Sequence, residues 1–376
     1  MIFSLSLLIL TIFTFQNSLN IKRINAINAV KKILTTCQPV SGDGCMKELI
    51  AQSSPTLTMV ETANLVHTTL LNDINKGDCH TILHSVGTAY QTYKNTDINK
   101  ALPIYCDRSL LHGVLIGAGK IDDQKTIRTI FTVNCDPKNG DYIPSCYHGY
   151  GHSLSAQKKL INDILPSCSH VIDSGSFNYL NLLFTCLEGY TMDQENFLPI
   201  TKNVFLPIYP VKNLSRINLI KECSLNTENL SRLSLLEKKE LNNACYIILL
   251  RYNGPFRIKA LKTSDAIESF ANENLTICSQ ISDPYLLADC ARQIGSLSFY
   301  YAKINNQFTP AVVHSFCLPD KYSKLLTSCI SGYVEQWLHN NGGIAPLPYV
   351  TNLCTTFGQK ELPLCLANYH SVINVL

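Results

Sequence analysis

Five of the ten histidines in this chain fall between residues 80 and 152: His80, His84, His112, His148 and His152. Two pairs, His80/His84 and His148/His152, are spaced i, i+4. On a helix that spacing sets both imidazoles on one face about one turn apart, so that a single helix gives two ligands to a metal ion. Imidazole suits Zn, Cu or Fe, and an ion held this way supplies either Lewis-acid activation of water or redox chemistry with oxygen. The candidate metal ligands are His80, His84, His112, His148, His152 and, from the register described next, Glu188. The remaining histidines, His67, His170, His314, His339 and His370, are scattered and read as packing residues.

An internal repeat must bring these residues together. The phrase Cys-x-x-Gly-Tyr occurs three times, as Cys146-Tyr-His-Gly-Tyr, Cys186-Leu-Glu-Gly-Tyr and Cys329-Ile-Ser-Gly-Tyr. That is about two orders of magnitude more often than chance supplies in a chain of this composition. Only the third residue varies inside the fixed frame. With the cysteine as zero, positions +2 and +6 hold Arg108 and His112, then His148 and His152, then Glu188 and Met192. The later repeats hold Ile247 and Arg251, Arg292 and Ser296, and Ser331 and Glu335. Equivalent positions of stacked repeats lie side by side, so the His148/His152 pair is expected between His112 and Glu188. Cys79 opens a variant with His80 and His84 at +1 and +5. The chemistry therefore belongs to the amino-terminal half, and the carboxy-terminal half reads as scaffold or substrate surface. Glu188 has a competing role as an ion-pair partner of Arg108.

The sixteen cysteines set the frame. Nearest-neighbour pairing gives Cys37 with Cys45, Cys79 with Cys106, Cys135 with Cys146, Cys168 with Cys186, Cys223 with Cys245, Cys278 with Cys290, Cys317 with Cys329, and Cys354 with Cys365. Around each pair an apolar helical stretch ends at the first cysteine, a polar turn follows, and a second helix carries the other. Asp283-Pro284 and Pro319-Asp320 stand where an N-cap and first turn belong. The second cysteines recur roughly every forty residues, the period of two-helix solenoid units. The fold class expected is all-α: disulfide-stapled helix hairpins stacked into a solenoid-like or toroidal array. Gly87, Gly113, Gly149, Gly151 and Gly189 sit beside the candidate ligands. Glycine inside a helix costs about 1 kcal/mol relative to alanine, so close helix packing or close approach of a ligand must repay it. The tyrosines at 150, 190 and 333 read as packing residues.

Cysteine at this density points to disulfides and an oxidising compartment, because the Cys-x-x-Cys spacing of zinc knuckles and redox motifs is absent. Ile2 to Phe15 is almost wholly apolar, the length of a signal-peptide core rather than of a membrane span. No Lys or Arg precedes it, and Lys22, Arg23, Lys31 and Lys32 follow, against the usual charge bias of an exported body. Residues 1–30 are accordingly a signal peptide or an amino-terminal anchor. Residues 31–198 form a helical half with the His cluster. Residues 199–222, between Pro199 and the region beyond Pro210, are a linker or long loop, and residues 223–376 form the second helical half. Sequons begin at Asn213, Asn229 and Asn274.

A net charge of +3 without blocks of like charge excludes a nucleic-acid footprint and a basic membrane patch. There is no His-Glu-x-x-His, no haem-attachment Cys-x-x-Cys-His and no Gly-x-Ser-x-Gly elbow. Gly113-Val-Leu-Ile-Gly-Ala-Gly-Lys120 is one residue too long between its glycines, and lacks the Ser/Thr, to be a phosphate loop. Two functions are expected to compete. One is an exported metalloprotein, a metal-dependent hydrolase or oxidoreductase. The other is a non-enzymatic extracytoplasmic solenoid that binds a protein, peptide or glycan and tolerates the loss of any one histidine. Any contact with a membrane is through the amino-terminal segment alone.

Overall fold

The structure is a computed structural model. It describes residues 20–32, 57–71, 79–94, 100–135 except 107, 143–157, 163–172, 179–193, 196–201, 204–208, 230–340 except 259 and 319, 347–355 and 362–367, with scattered single residues between. The apolar segment Ile2–Phe15, the Cys37/Cys45 pair, the sequons at Asn213 and Asn229, Pro319, and the stretch 209–220 lie outside the described residues. So do His370 and the side chains of His339 and Met192.

The described chain is helical apart from one hairpin. Its helices are α1 (Met59–Leu71), α2 (Cys79–Lys94), α3 (Ser109–Lys120), α4 (Gln124–Asn134), α5 (Ile143–Ala156), α6 (Ile164–Val171) and α7 (Tyr179–Asp193). After the hairpin come α8 (Leu235–Ile258), α9 (Ser264–Cys278), α10 (Pro284–Asn305), α11 (Pro310–Cys317), α12 (Leu326–Asn340) and α13 (Leu347–Thr355). Strands β1 (Asn196–Thr201) and β2 (Val204–Ile208) pair antiparallel, with Phe197 opposite Pro207 and Pro199 opposite Phe205. In a two-stranded ribbon every strand is an edge, so prolines that bar a helix are tolerated here. The expected loop therefore opens with a hairpin.

Local signals fix the helix starts. Asp283 caps α10 by accepting from the Leu286 amide at 2.8 Å, with Pro284 in the first turn, and Thr263 caps α9 through the Ala266 amide. Ser234 and Glu237 close a reciprocal capping box ahead of α8. Asp320, by contrast, lies in a turn: a 3₁₀ segment, Ser323–Leu325, intervenes before α12.

Seven disulfides join the cysteines of the described residues in the nearest-neighbour order, from Cys79–Cys106 to Cys354–Cys365, and none of those cysteines is free. Cys168–Cys186, Cys278–Cys290 and Cys317–Cys329 each tie two successive helices, and Cys135–Cys146 ties the end of α4 to α5, whereas Cys79–Cys106 joins the start of α2 to the turn ahead of α3. The helices α2, α3, α5, α7, α8, α10 and α12 pack consecutively against one another, while α4, α6, α9 and α11 cover them. No described helix is long and apolar enough to cross a membrane.

Close approach of the inner helices answers the glycine question. A Cβ on Gly151 of α5 would lie 2.0 Å from the Cys186 carbonyl oxygen of α7, and one on Gly189 of α7 would lie 1.9 Å from the His148 carbonyl oxygen of α5. The same reciprocal lock joins α10 and α12: Gly295 faces the Cys329 carbonyl at 1.7 Å and Gly332 the Arg292 carbonyl at 1.9 Å. Only a residue without a side chain lets two helix backbones meet there. The glycines serve helix packing, and the carbonyls they admit belong to the repeat cysteines Cys186 and Cys329 and to the +2 residues His148 and Arg292.

The apolar core divides into two clusters, one running from Ala26 to Cys146 and the other from Leu154 to Cys365. The division falls within α5, the helix that carries His148 and His152. Tyr190 and Tyr333 are buried in the second cluster, as packing residues should be.

Candidate metal centre

Three helices bring the five histidines into one group. His80 and His84 come from α2, His112 from α3, and His148 and His152 from α5. Neighbouring ring centroids are 5.0 Å apart for His80/His84, 5.4 Å for His84/His112, 4.9 Å for His84/His152, 5.2 Å for His112/His148 and 4.7 Å for His148/His152. Within this group two triads have nitrogens that all lie within 4.8 Å of one another: His80/His84/His112, and His112/His148/His152. His112 belongs to both.

The donor set fits a transition ion. Nitrogens bound at 2.0–2.1 Å around a tetrahedral ion sit roughly 3.3 Å apart, so binding would draw each triad inward by about 1.5 Å, a movement within the reach of ring rotation. The second nitrogen of several rings is already engaged. His80 Nδ1 donates to the Cys106 carbonyl at 2.9 Å, which leaves Nε2 as its lone-pair donor. His112 Nε2 stands 2.9 Å from both the carbonyl and the hydroxyl of Ser145. Its Nδ1 is buried and has no hydrogen-bond partner among the described residues. A ring that donates one N–H to an acceptor and presents the other nitrogen inward is the usual arrangement of a ligating histidine. Burial, then the neighbouring His148, His84, His80 and His152, lower the basicity of His112 well below the ordinary imidazole range. It is therefore held neutral, the form that binds metal.

Glu188 stands at the edge of the cluster, with Oε2 3.7 Å from His148 Nδ1, and belongs to neither triad. Its partners are two arginines and an amide. Arg251 Nη1 reaches Oε1 at 3.1 Å, Arg292 Nη2 reaches Oε2 at 3.2 Å, and Gln293 Nε2 donates to Oε1 at 2.9 Å. Burial alone would raise the Glu188 carboxyl, but Arg292, His148 and Arg251 hold it well below the usual carboxylate range. Arg292 also grips both oxygens of Glu335, at 2.9 and 2.8 Å, and touches Asp289 at 3.2 Å. Burial pushes the Asp289 carboxyl up to about 6 against the pull of Arg292, with Glu188 and Glu335 adding to the rise.

A continuous polar seam thus runs from His80 on α2 to Glu335 on α12, made of +2 and +6 residues and their neighbours. The register placed His112, His148, His152 and Glu188 side by side. It did not foresee that Arg251 and Arg292 would continue the line from the second half. Arg108 leaves the seam and donates from Nη1 to the Asn134 carbonyl at 2.7 Å, closing the end of α4. It is not the partner of Glu188. Elsewhere, His67 stacks on Tyr105 at 4.1 Å, and Asn274 is buried with its amide on the Phe270 carbonyl, out of reach of a glycosyltransferase. Residues 113–120 lie within α3, not in a loop.

Compared with models of protein families, with curated proteins and with solved structures, the chain matches none of them.

Proposed function

We propose that the protein is an exported metalloprotein that holds a transition ion, Zn, Cu or Fe, on the imidazoles of His80, His84, His112, His148 and His152, with Glu188 orienting His148. The observation that carries this reading is the convergence of five imidazoles from three helices, two of them wholly buried, at ring distances of 4.7 to 5.7 Å. Burying that many rings side by side without a ligand sacrifices apolar packing and leaves a buried nitrogen unmet. A surface that binds a protein or glycan needs no such convergence.

Seven disulfides support an oxidising, extracytoplasmic setting. Consecutive packing of the inner helices supports a solenoid-like array in which every hairpin buries its faces against its neighbours. An ion bound at the cluster would supply water activation if it is Zn, and electron transfer with oxygen if it is Cu or Fe. The metal's identity thus decides between a hydrolase and an oxidoreductase. The chain's own contribution is a set of imidazole donors, with His80 held by the Cys106 carbonyl and His112 by Ser145.

Elemental analysis of the protein, purified oxidised and without a His tag, tests this beside the triple variant His80→Ala/His112→Gln/His148→Ala, which breaks both triads. Stoichiometric Zn, Cu or Fe in the wild type and its loss in a variant with intact disulfides is the expected result. A wild type that takes up none of these ions after reconstitution would end the metal reading and leave the binding solenoid.

A further inference from the structure

We infer that the five imidazoles hold one ion at a time, in either of two alternative triads hinged on His112, and that they do not form a two-metal centre. The inference rests on the metal-binding reading above. Five histidines would suffice in number for two ions, and both triads have donors close enough to bind. Both, however, need His112. To serve two ions at once His112 would have to bridge them through its two nitrogens, and one is committed: Nε2 lies 2.9 Å from the Ser145 carbonyl and 2.9 Å from its hydroxyl. Only Nδ1, buried and without a hydrogen-bond partner among the described residues, remains to bind. One lone pair serves one ion.

Charge points the same way. Both triads consist of imidazoles alone, ligands that bring no negative charge to an ion. Two dications a few ångströms apart need anionic ligands between them, as the carboxylates of two-metal sites provide. Glu188 is the carboxylate nearest the group, and its charge is already met by Arg251 and Arg292.

The two triads differ in access. His80 and His84 are both half-buried, whereas in the second triad only His148 is half-buried and His152 is wholly buried. An ion received by His80/His84/His112 can therefore pass inward to His112/His148/His152 by exchanging two ligands while His112 keeps hold. The first triad captures and the second retains.

The test is titration of the metal-free, disulfide-intact protein with Co²⁺, read by visible absorption and by bound ion per chain. One ion is expected in the wild type, in His80→Ala/His84→Ala and in His148→Ala/His152→Ala. The two double variants should give different spectra, and His112→Gln should lose stoichiometric binding. Two ions in the wild type falling to one in each double variant would overturn the shared-ligand arrangement while leaving the metal reading in place. No Co²⁺ or Zn²⁺ bound by the wild type would overturn the metal reading itself. Should His112→Gln fail to fold, the wild type and the two double variants still decide between one ion and two.

Discussion

The contact between α5 and α7 and the contact between α10 and α12 are built on the same backbone plan and carry opposite chemistry. In each, two glycines face each other's helix and let a carbonyl of the partner come to within 2.0 Å of where a Cβ would stand. In each, one admitted carbonyl belongs to a +2 residue and the other to a repeat cysteine, so the side chains at +2 and +6 are pressed against the neighbouring helix. At the first contact those side chains are His148 and His152 beside Glu188; at the second they are Arg292 and Ser296 beside Glu335. The backbone lock fixes where side chains meet and leaves open what they do. Imidazole donors make one end of the seam fit to take a cation from outside, while the other end is already closed by its own ion pairs.

The largest break in this comparison should come from Glu188, the residue that joins the two ends. In the metal-free protein Glu188→Gln removes the carboxylate that Arg251 and Arg292 share, leaving Arg292 its pair with Glu335. The expected loss is about 3–5 kcal/mol in urea unfolding with the disulfides intact. A loss below about 1 kcal/mol would mean that the arginines find water or other partners, and that the seam is not closed. Next come the locks themselves. Gly189→Ala and Gly332→Ala should each cost about 2–3 kcal/mol, and should cost nearly the same, because the collision is with backbone that cannot rotate away. Unequal costs would show that the two contacts are alike only in outline.

The smallest effect sharpens the contrast in charge. Asp289 in the folded protein titrates at about 6, above the ordinary Asp value, so between roughly pH 4 and 6 the folded state keeps a proton that the unfolded state has released. Its contribution to stability therefore grows as pH falls through about 6 and is lost above it, by on the order of 1–2 kcal/mol. Glu188 has the opposite sign: its stabilisation is present at neutral pH and is lost as pH falls below the carboxylate range. Subtracting the stability profile of Asp289→Asn from that of the wild type isolates the first term. A flat difference across pH 4–6 would show that Asp289 does not share the seam's charge.

Much of this was legible in the chain. Nearest-neighbour cysteines are partners in all seven described bridges; in Cys135–Cys146, Cys278–Cys290 and Cys317–Cys329, which lie 11 or 12 residues apart, the turn of a short hairpin brings the two together before any others. Counting from the second cysteine put His112, His148, His152 and Glu188 in one row because stacked helices keep register, and glycine at fixed offsets holds them at one distance. Arg251 and Arg292 escaped notice for a physical reason. They occupy the same row, but without histidines there the row read as scaffold, because a register gives positions and not the ion pairs that form across them. Pairing of Glu188 with Arg292 also skips a helix, from α7 past α8 to α10, which no nearest-neighbour register reports. Arg108 misled because its row position is right while its side chain turns back to close α4. The hairpin Asn196–Ile208 was hidden by the same prolines that excluded a helix there.

The order of the bridges also bears on how such a molecule is made. In a chain that leaves a membrane channel amino terminus first, the second cysteine of each described pair appears with one unpaired described thiol already waiting, and that one is its partner. The simplest oxidant, joining thiols in the order of their arrival, then yields the native pattern from Cys79 to Cys365 without reshuffling. For a chain exported in that way, synthesis direction would do the work that an isomerase does for proteins whose bridges cross.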